Sequence, residues 1–433
     1  VNALVRRRDL APTGVIRICL PSGSSIPPFS DWPSDLIDGL DGHYRLIHGG
    51  YEMDGREIAA LNKDELLQAV TDLRAEGITE IALSSVFSTV RSDMEEQAFS
   101  IINEAFPDQS VTKSTDIGRL GLLERENAAI INGALRPLAA EVVESFLALA
   151  KELDLQCPLY FTKNDGTLIS ADQVSRLPVL TFACGPTNSM RGAAFLSGIK
   201  NGLVADVGGT TMDVGEVQNG FPRPAGTAVS VADVQTNFSM PDVISIGLGG
   251  GSIIDREAVT VGPDSVGHRL LEEGVVFGGS VLTASDIAVA AGRTEMGDHP
   301  PGDLPDLAGL IGALDQKAGD AIARSRTSGE AMTVIAVGGG AVLLPDKLDG
   351  LEVVRPPHYD LANAIGAAIA QVSGEDSRVI ALAEGMTREE AIQSVVEAAE
   401  AAAVGNGADP DTLQLLSQSD VPLAYLPGSN LAI

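Results

Sequence analysis

The chain has 433 residues, 44% of them hydrophobic and 4% aromatic, with 47 glycines and a formal net charge of −30. That length implies two or three domains, and an Ala/Val/Leu/Gly-rich balance fits an α/β protein and excludes a disordered or fibrous one. A surface with 59 acidic against 29 basic residues repels a phosphate backbone, which excludes nucleic acid as a partner; no apolar run reaches membrane-spanning length and no signal peptide is visible.

Cys19, Cys157 and Cys184 are widely spaced without a C-x-x-C pair, so they are expected to be free thiols of a reducing cytoplasm. The opening Val1-Asn-Ala-Leu-Val-Arg-Arg-Arg reads as a helix already under way, and Asn430-Leu-Ala-Ile433 as an interrupted strand. Both ends are therefore expected to be cut from a longer protein.

In chain order, residues 13–20 are predicted as a strand, followed by a Pro/Ser/Gly loop through Trp32. A helix over 63–76 with Asn62 as N-cap, a buried strand over 78–86 and a helix over 94–105 then imply parallel pairing in an α/β layer. A helical pattern over 124–154 contains Pro137, which is expected to kink or divide it. A short strand at 159–161 leads into Lys163-Asn-Asp-Gly-Thr-Leu, which alone reads as an Asx turn. Next comes a glycine-rich loop from Ala183, opening a helix with small residues at Gly192, Ala193 and Ala194. Asn188 and Ser189 at the start of that helix suit an anion, because free N–H groups and the helix dipole point there; Arg191 is either a phosphate or carboxylate ligand or a solvated arginine.

The most informative stretch is Gly202-Leu-Val-Ala-Asp206-Val-Gly-Gly209-Thr-Thr211-Met-Asp213. A hydrophobic strand ends in Asp206, turns through Gly208 and Gly209, and leaves through Thr210, Thr211 and Asp213. Two glycines let backbone N–H groups approach phosphate oxygens, two hydroxyls add donors, and two carboxylates can hold the waters of a Mg²⁺ ion. A plain hairpin with a Gly-Gly turn is the alternative. The eight-residue pattern D-x-G-G-T-x-x-D directly after an apolar strand favours the nucleotide reading.

Two further glycine clusters follow, Gly247-Leu-Gly249-Gly250-Gly251-Ser252 and Gly338-Gly339-Gly340, the second after a buried strand. Residues 360–371 form a predicted helix whose Ala364, Gly366 and Ala367 permit close packing. The tail reads strand (378–382), helix, strand, with a capping box from Thr387 to Glu390 and a stop at Gly405. His43, His48, His268, His299 and His358 show no i, i+4 pair, which argues against zinc; no G-x-S-x-G elbow supports a hydrolase triad, and G-x-G-G-G is not a dinucleotide fingerprint.

Glycine turns after strands, followed by a small-residue helix, resemble the second lobe of the actin-like ATPase superfamily. The finer resemblance is to the A-type components of the hydantoinase/oxoprolinase family. It is carried by Phe161-Thr-Lys-Asn164-Asp165-Gly166, Gly185-Pro-Thr-Asn188-Ser189-Met-Arg191-Gly192, Asp206-Val-Gly-Gly-Thr-Thr-Met-Asp213, Ile246-Gly-Leu-Gly-Gly-Gly251-Ser252, Val261-Gly-Pro-Asp264-Ser-Val-Gly267, Gly338-Gly-Gly340 and Asn363-Ala-Ile-Gly366. The series covers nearly the whole chain in order.

The resemblance implies a two-lobed α/β fold of the actin-like (ribonuclease H-like) kind with a small α+β C-terminal segment. The expected division is 1–195, 196–375 and 376–433. It also implies a first Asp-Gly-Gly-Thr hairpin ahead of the point that Val1 matches, so this chain shows one of two halves of a phosphate clamp. Members of such a family open cyclic amides such as hydantoins and 5-oxoproline, or carboxylate ketones, at the expense of ATP. Amide resonance makes a lactam a poor electrophile; phosphorylating its carbonyl oxygen gives an imidate that water can attack, while Mg²⁺ offsets charge on the phosphoryl group.

On this reading Asp206 is the metal-water ligand or base, supported from behind by Asp213. Gly208, Gly209, Thr210 and Thr211 meet the phosphates, Gly338, Gly339 and Gly340 meet adenosine, and Asn188, Ser189, Gly249 and Gly250 complete the nucleotide site. The expected cofactors are ATP and Mg²⁺, the substrate a small cyclic amide, and the partner a hydantoinase B-type subunit in a hetero-oligomer. The alternatives are a component of a ketone carboxylase or a non-catalytic assembly component.

Overall fold

The computed structural model describes residues 2–226, 229–329, 332–382, 386–422 and 429–432. After a short helix α1 (Asn2–Arg6), a first sheet is assembled from β1 (Thr13–Leu20), helix α2 (Ser34–Gly39), β2 (His43–His48), α3 (Lys63–Ala75), β3 (Glu80–Ser85), α4 (Asp93–Ala105) and β4 (Ser110–Lys113). Its order is β2-β1-β3-β4, parallel throughout. β1 and β3 are buried almost end to end, as strands covered on both faces must be. The parallel α/β layer expected from the sequence is thus present. β2 was missed: it is an edge strand in which Ile47 alone is fully buried, so its pattern carries little apolar signal.

Local chemistry explains the helix boundaries. The Asn62 side chain accepts from the backbone of Asp64 and Glu65, both at 3.1 Å, and caps α3 as its sequence predicts. Leu66, Ala69, Val70 and Leu73 then form the buried stripe. The long helix α5 (Leu122–Glu152) runs as one element of 31 residues with Pro137 inside it, so of the two expected outcomes, a kink or a division, the division does not occur. Both halves are anchored: residues from Ala128 to Leu135 are buried in the first core, while Val143 packs with Ile169, Ala171 and Val174. That burial outweighs the one helical bond a proline removes. The hairpin β5 (Tyr160–Thr162) and β6 (Leu168–Ser170) and helix α6 (Ala171–Arg176) lie against this distal half.

The second sheet begins after α7 (Cys184–Ser197) with the hairpin β7 (Gly202–Val207) and β8 (Met212–Gln218), extended by β9 (Phe221–Pro222). A small hairpin, β10 (Val229–Val231) and β11 (Val234–Thr236), returns to the first core, where Val231, Val234 and Phe238 pack with α5. β12 (Val243–Ile246) pairs with β8; β13 (Ser252–Asp255), β14 (Thr260–Ser265), α8 (Leu270–Glu273), α9 (Ala284–Ala290) and α10 (Leu307–Ser325) follow. β15 (Val334–Val337), β16 (Lys347–Leu348) and β17 (Leu351–Val354) complete the order β12-β8-β7-β15-β17-β16.

Alternation along β7 sends Leu203, Ala205 and Val207 to a core shared with α9 and α10, and Val204 to a core shared with α7. Helix α11 (Ala362–Ala368) lies on α7. A Cβ on Gly192 would strike the Ala362 carbonyl, and one on Gly366 the Asn188 carbonyl, so glycine at both positions is what lets the two backbones meet. The chain then crosses back: Leu168 N–H donates to Gln371 O at 2.9 Å, and Lys163 Nζ donates to Ser373 Oγ at 3.0 Å.

The tail holds β18 (Val379–Leu382), α12 (Arg388–Gly405), β19 (Val421–Pro422) and β20 (Ser429–Ala432). The Thr387/Glu390 capping box is formed, and the helix ends with Asn406 as its C-cap.

Candidate nucleotide site

The hairpin β7–β8 puts its two aspartates opposite one another, and the ladder continues on both sides. Val337, Asp206, Asp213 and Ser245 form one row across four neighbouring strands. Members of such a row point to the same face. Here it is the face covered by α7, whose Ser189 hydroxyl reaches the Asp206 carboxylate. Burial raises the Asp206 carboxyl above its ordinary range and the charge of Asp213 adds to this, against the Ser189 hydroxyl. Burial likewise raises Asp213, opposed by the Ser245 hydroxyl. Among the described residues, the Ser189 hydroxyl and the Asp213 charge act on Asp206 besides burial, and the Ser245 hydroxyl on Asp213.

At the end of this pair the chain makes a tight turn, closed by the Gly208 N–H donating to Thr211 O at 2.9 Å. The neighbouring glycine clusters press onto it. Gly250 and Gly251 donate to the carbonyls of Gly208 and Gly209 at 3.0 and 2.8 Å, and Gly340 donates to Val207 O at 2.8 Å. A Cβ at Gly249 would lie 2.5 Å from Thr210 N, and one at Gly340 would lie 2.7 Å from Gly208 O. Gly338, at φ +83°, would bring a Cβ into Asp206 Oδ1. The three glycine clusters of the sequence therefore meet at one place.

This packing assigns the glycines more narrowly than the sequence does. Gly249 N–H goes to Ser252 Oγ at 2.8 Å, and the N–H groups of Gly208, Gly250, Gly338 and Gly340 are used within the protein. Those five shape and brace the turn and offer no free amide. Gly209 and Gly339 have no atom within 4 Å of an added Cβ, and Thr210 and Thr211 are exposed beside them. The open side of the turn is thus the Gly209–Thr211 edge facing Gly339.

Other expected residues take different places. α7 starts at Cys184, so Asn188 and Ser189 lie in its second turn and are not at a free N-terminus. The Asn188 carbonyl packs against Gly366, and its Oδ1 is buried without a hydrogen-bond partner. Arg191 is two residues beyond Ser189, on another side of the helix; its guanidinium stacks 3.9 Å from the Phe221 ring centroid and donates to Gly166 O at 3.1 Å. It is a packed residue here, neither a solvated arginine nor a group facing Asp206.

Asp165 accepts from the Thr167 N–H and hydroxyl at 2.9 and 2.6 Å, the Asx turn its tripeptide suggests. Asn164 ties Val179, Ala183 and Ser239 together through its side chain. Sequence reasoning gave no role to Ser245 or to Asn363, which donates to Ser189. A polar residue interrupting the small-residue face of 360–371 was the available signal for Asn363.

A divalent cation fits the donor set. Mg²⁺ is commonly held through one or two carboxylates, waters and substrate phosphates, and two like charges without a cation are what it would relieve. Among the described residues no group of three or more His, Cys, Asp or Glu could form an all-protein metal cage. The cysteines are free: Cys19 is buried, Cys184 half-buried and Cys157 exposed. Among the described residues no helix is long and apolar enough to cross a membrane.

The second sheet is mixed, its central hairpin carries the paired aspartates, the glycine turns of adjacent strands close on it, and a helix leads back to the first sheet. The chain matches the Hydantoinase/oxoprolinase family over residues 125–417 and the N-terminal region of that family over residues 2–106. It belongs to the hydantoinase/oxoprolinase family.

Among curated relatives, the caprolactamase alpha subunit of Pseudomonas jessenii is 25% identical over 255 residues, 57% of this chain and 36% of that protein. The acetophenone carboxylase gamma subunit of Aromatoleum aromaticum is 24% identical over 267 residues, 59% of this chain and 36% of that protein. The matched regions thus span about a third of these relatives' length. The crystal structure of the ATP-dependent caprolactamase from Pseudomonas jessenii superposes with a TM-score of 0.69 at 18% identity, covering all of this chain and 70% of that one. Nucleotide-free acetone carboxylase gives 0.65 at 17% identity with the same coverage. At such identity these two structures speak for the fold.

Proposed function

We propose that this chain is the ATP-binding part of an ATP-dependent hydrolase of cyclic amides. The observation that carries the reading is the Asp206–Asp213 pair, set side by side beneath a turn on which three glycine clusters converge, with a hydroxyl and a carboxylate acting on Asp206 among the described residues. Asp206 would hold a metal-bound water and Asp213 would support it. The exposed Thr210 and Thr211, with the open edges at Gly209 and Gly339, would receive phosphate and adenosine. A divalent cation there would offset charge on the transferred phosphoryl group. The chain's own residues fix the direction of that group and set the floor of the site against which the amide oxygen would approach.

Relatives named as a caprolactamase and a 5-oxoprolinase support the substrate class. Relatives named as subunits support a hetero-oligomer; the partner in this reading is a hydantoinase B-type subunit. The reading includes a reducing, cytoplasmic setting for the three free thiols. We draw the lobe boundary before Cys184, because α7 shares its core with the second sheet, and treat 376–433 as a separate small segment.

A second reading, a ketone carboxylase component, is favoured by the equal similarity of the acetophenone carboxylase relative. The test is ATP turnover in the reconstituted complex with 5-oxoproline, hydantoin and caprolactam, against acetone and acetophenone with bicarbonate. Lactam-stimulated ADP release with ring opening supports the first reading. Bicarbonate-dependent turnover with ketones and none with lactams overturns it.

A further inference from the structure

Asp206 is not held by its own strand alone. Ser189, 1% exposed, lies on α7, which covers the face to which Asp206 points, and its hydroxyl acts on that carboxyl. A hydroxyl has a single proton to donate, so what occupies its acceptor side decides where that proton goes. Asn363, on α11, donates from Nδ2 to Ser189 Oγ at 3.1 Å and to Gly185 O at 2.9 Å. The Gly185 carbonyl can only accept, which fixes the end of the Asn363 amide that points there. With an N–H directed at Oγ, the Ser189 proton is free to turn toward Asp206. The Asn363 position is itself fixed, since α11 is seated on α7 through the Gly192–Ala362 and Gly366–Asn188 backbone contacts.

We propose that Ser189 and Asn363 are positioning residues of the nucleotide site: Asn363 sets the direction of the Ser189 hydroxyl, which holds the Asp206 carboxylate in one orientation beneath the Gly208–Thr211 turn. The inference deepens the reading of Asp206 as the residue that places a divalent cation, and rests on it. It assigns a task to the small helix α11 beyond connecting the two sheets: its first turn carries the residue that orients the partner of the key carboxylate.

The geometry predicts an order of effects that loss of packing alone would not give. Asn363→Ala frees the Ser189 hydroxyl to rotate. Asn363→Asp replaces the donor by an acceptor, so the hydroxyl turns away from Asp206. Ser189→Ala removes the contact altogether. The affinity of the full chain for ADP is measured by calorimetry with Mg²⁺ and with EDTA, alongside thermal melts.

Ser189→Ala and Asn363→Asp are expected to weaken Mg²⁺-dependent ADP binding by about tenfold or more, the scale of one hydrogen bond to a charged group, with Asn363→Ala affected less. Binding in EDTA is expected to stay within about twofold, since that contact acts only through the carboxylate. Equal weakening with and without the metal, or Asn363→Asp no worse than Asn363→Ala, overturns the inference. Asp206→Ala separates the two levels. If the unsubstituted chain shows no Mg²⁺-dependent component, or Asp206→Ala keeps it, the site reading fails. If Asp206→Ala loses that component while Ser189→Ala and Asn363→Asp keep it, only the positioning role fails.

Discussion

The two sheets treat buried charge in opposite ways. In the first, Arg17 and Glu126 are each 1% exposed and face one another, with Arg17 Nε donating to Glu126 Oε2 at 2.8 Å and Ser84 donating to the same oxygen at 2.6 Å. Glu95, fully buried, accepts from the Ser114 and Thr115 hydroxyls, with the Arg125 charge acting on it. In the second, Asp206 and Asp213 sit side by side with hydroxyl partners. The first arrangement is internally neutralised and serves the fold. The second leaves negative charge uncompensated at the floor of an open turn, which costs stability and suits a cation brought with a ligand.

The largest effect is expected where a neutralised pair is broken. Arg17→Ala leaves Glu126 buried without its cation and should lower unfolding free energy by about 3–5 kcal/mol in a urea titration. A loss below about 1 kcal/mol would place Glu126 among the tolerant surface-like groups and blur the contrast.

Glu80 sharpens the comparison inside the first sheet, because its neutralisation is incomplete. It is 4% exposed, Arg136 stands at 3.4 Å, and burial still raises its carboxyl to about 7. A carboxyl whose folded pKa exceeds its unfolded value binds more protons when folded, so its stability contribution is present at low pH and falls as pH rises from about 4.5 to about 7. Glu80→Gln should flatten that slope and stabilise the protein at pH 8 by up to roughly 3 kcal/mol, the shift from 4.5 to about 7 taken at about 1.4 kcal/mol per unit. Denaturation curves at pH 5 and pH 8 measure it; an unchanged slope contradicts the assignment.

The second sheet should respond with the opposite sign to Arg17→Ala. Asp206→Asn removes one of two like charges and is expected to stabilise the ligand-free protein by about 1 kcal/mol, the Coulomb scale of such a contact at the dielectric of water, while reducing nucleotide binding. A destabilised variant would show that Asp206 has a structural cation partner after all. The smallest effect belongs to the exposed turn: Thr210→Ala should leave stability within about 0.5 kcal/mol and weaken nucleotide binding a few-fold.

What the sequence disclosed follows the same division. The hairpin, the three glycine clusters and the close α7–α11 contact were legible because backbone chemistry there depends on residue type: only glycine can stand where Gly249, Gly338, Gly192 and Gly366 stand. Asn62 and the Thr387/Glu390 box were legible for similar local reasons. β2 was not, because an edge strand carries half the apolar signal of a central one. At Pro137 the sequence left a kink or a division open, and the helix is undivided because of anchors distant in sequence, the first core and the Ile169–Val174 patch. Asn188 and Ser189 were placed at a helix start that lies earlier, at Cys184. The relay from Asn363 through Ser189 depends on side-chain directions across two helices, which no spacing rule states.

The central claim is that the Asp206–Asp213 hairpin is the floor of a nucleotide–metal site. Calorimetric titration of MgATP into the protein and into its Asp206→Ala variant tests it most directly. The account predicts saturable binding that depends on Mg²⁺ and is lost in the variant; the same metal-dependent affinity in both proteins would contradict it.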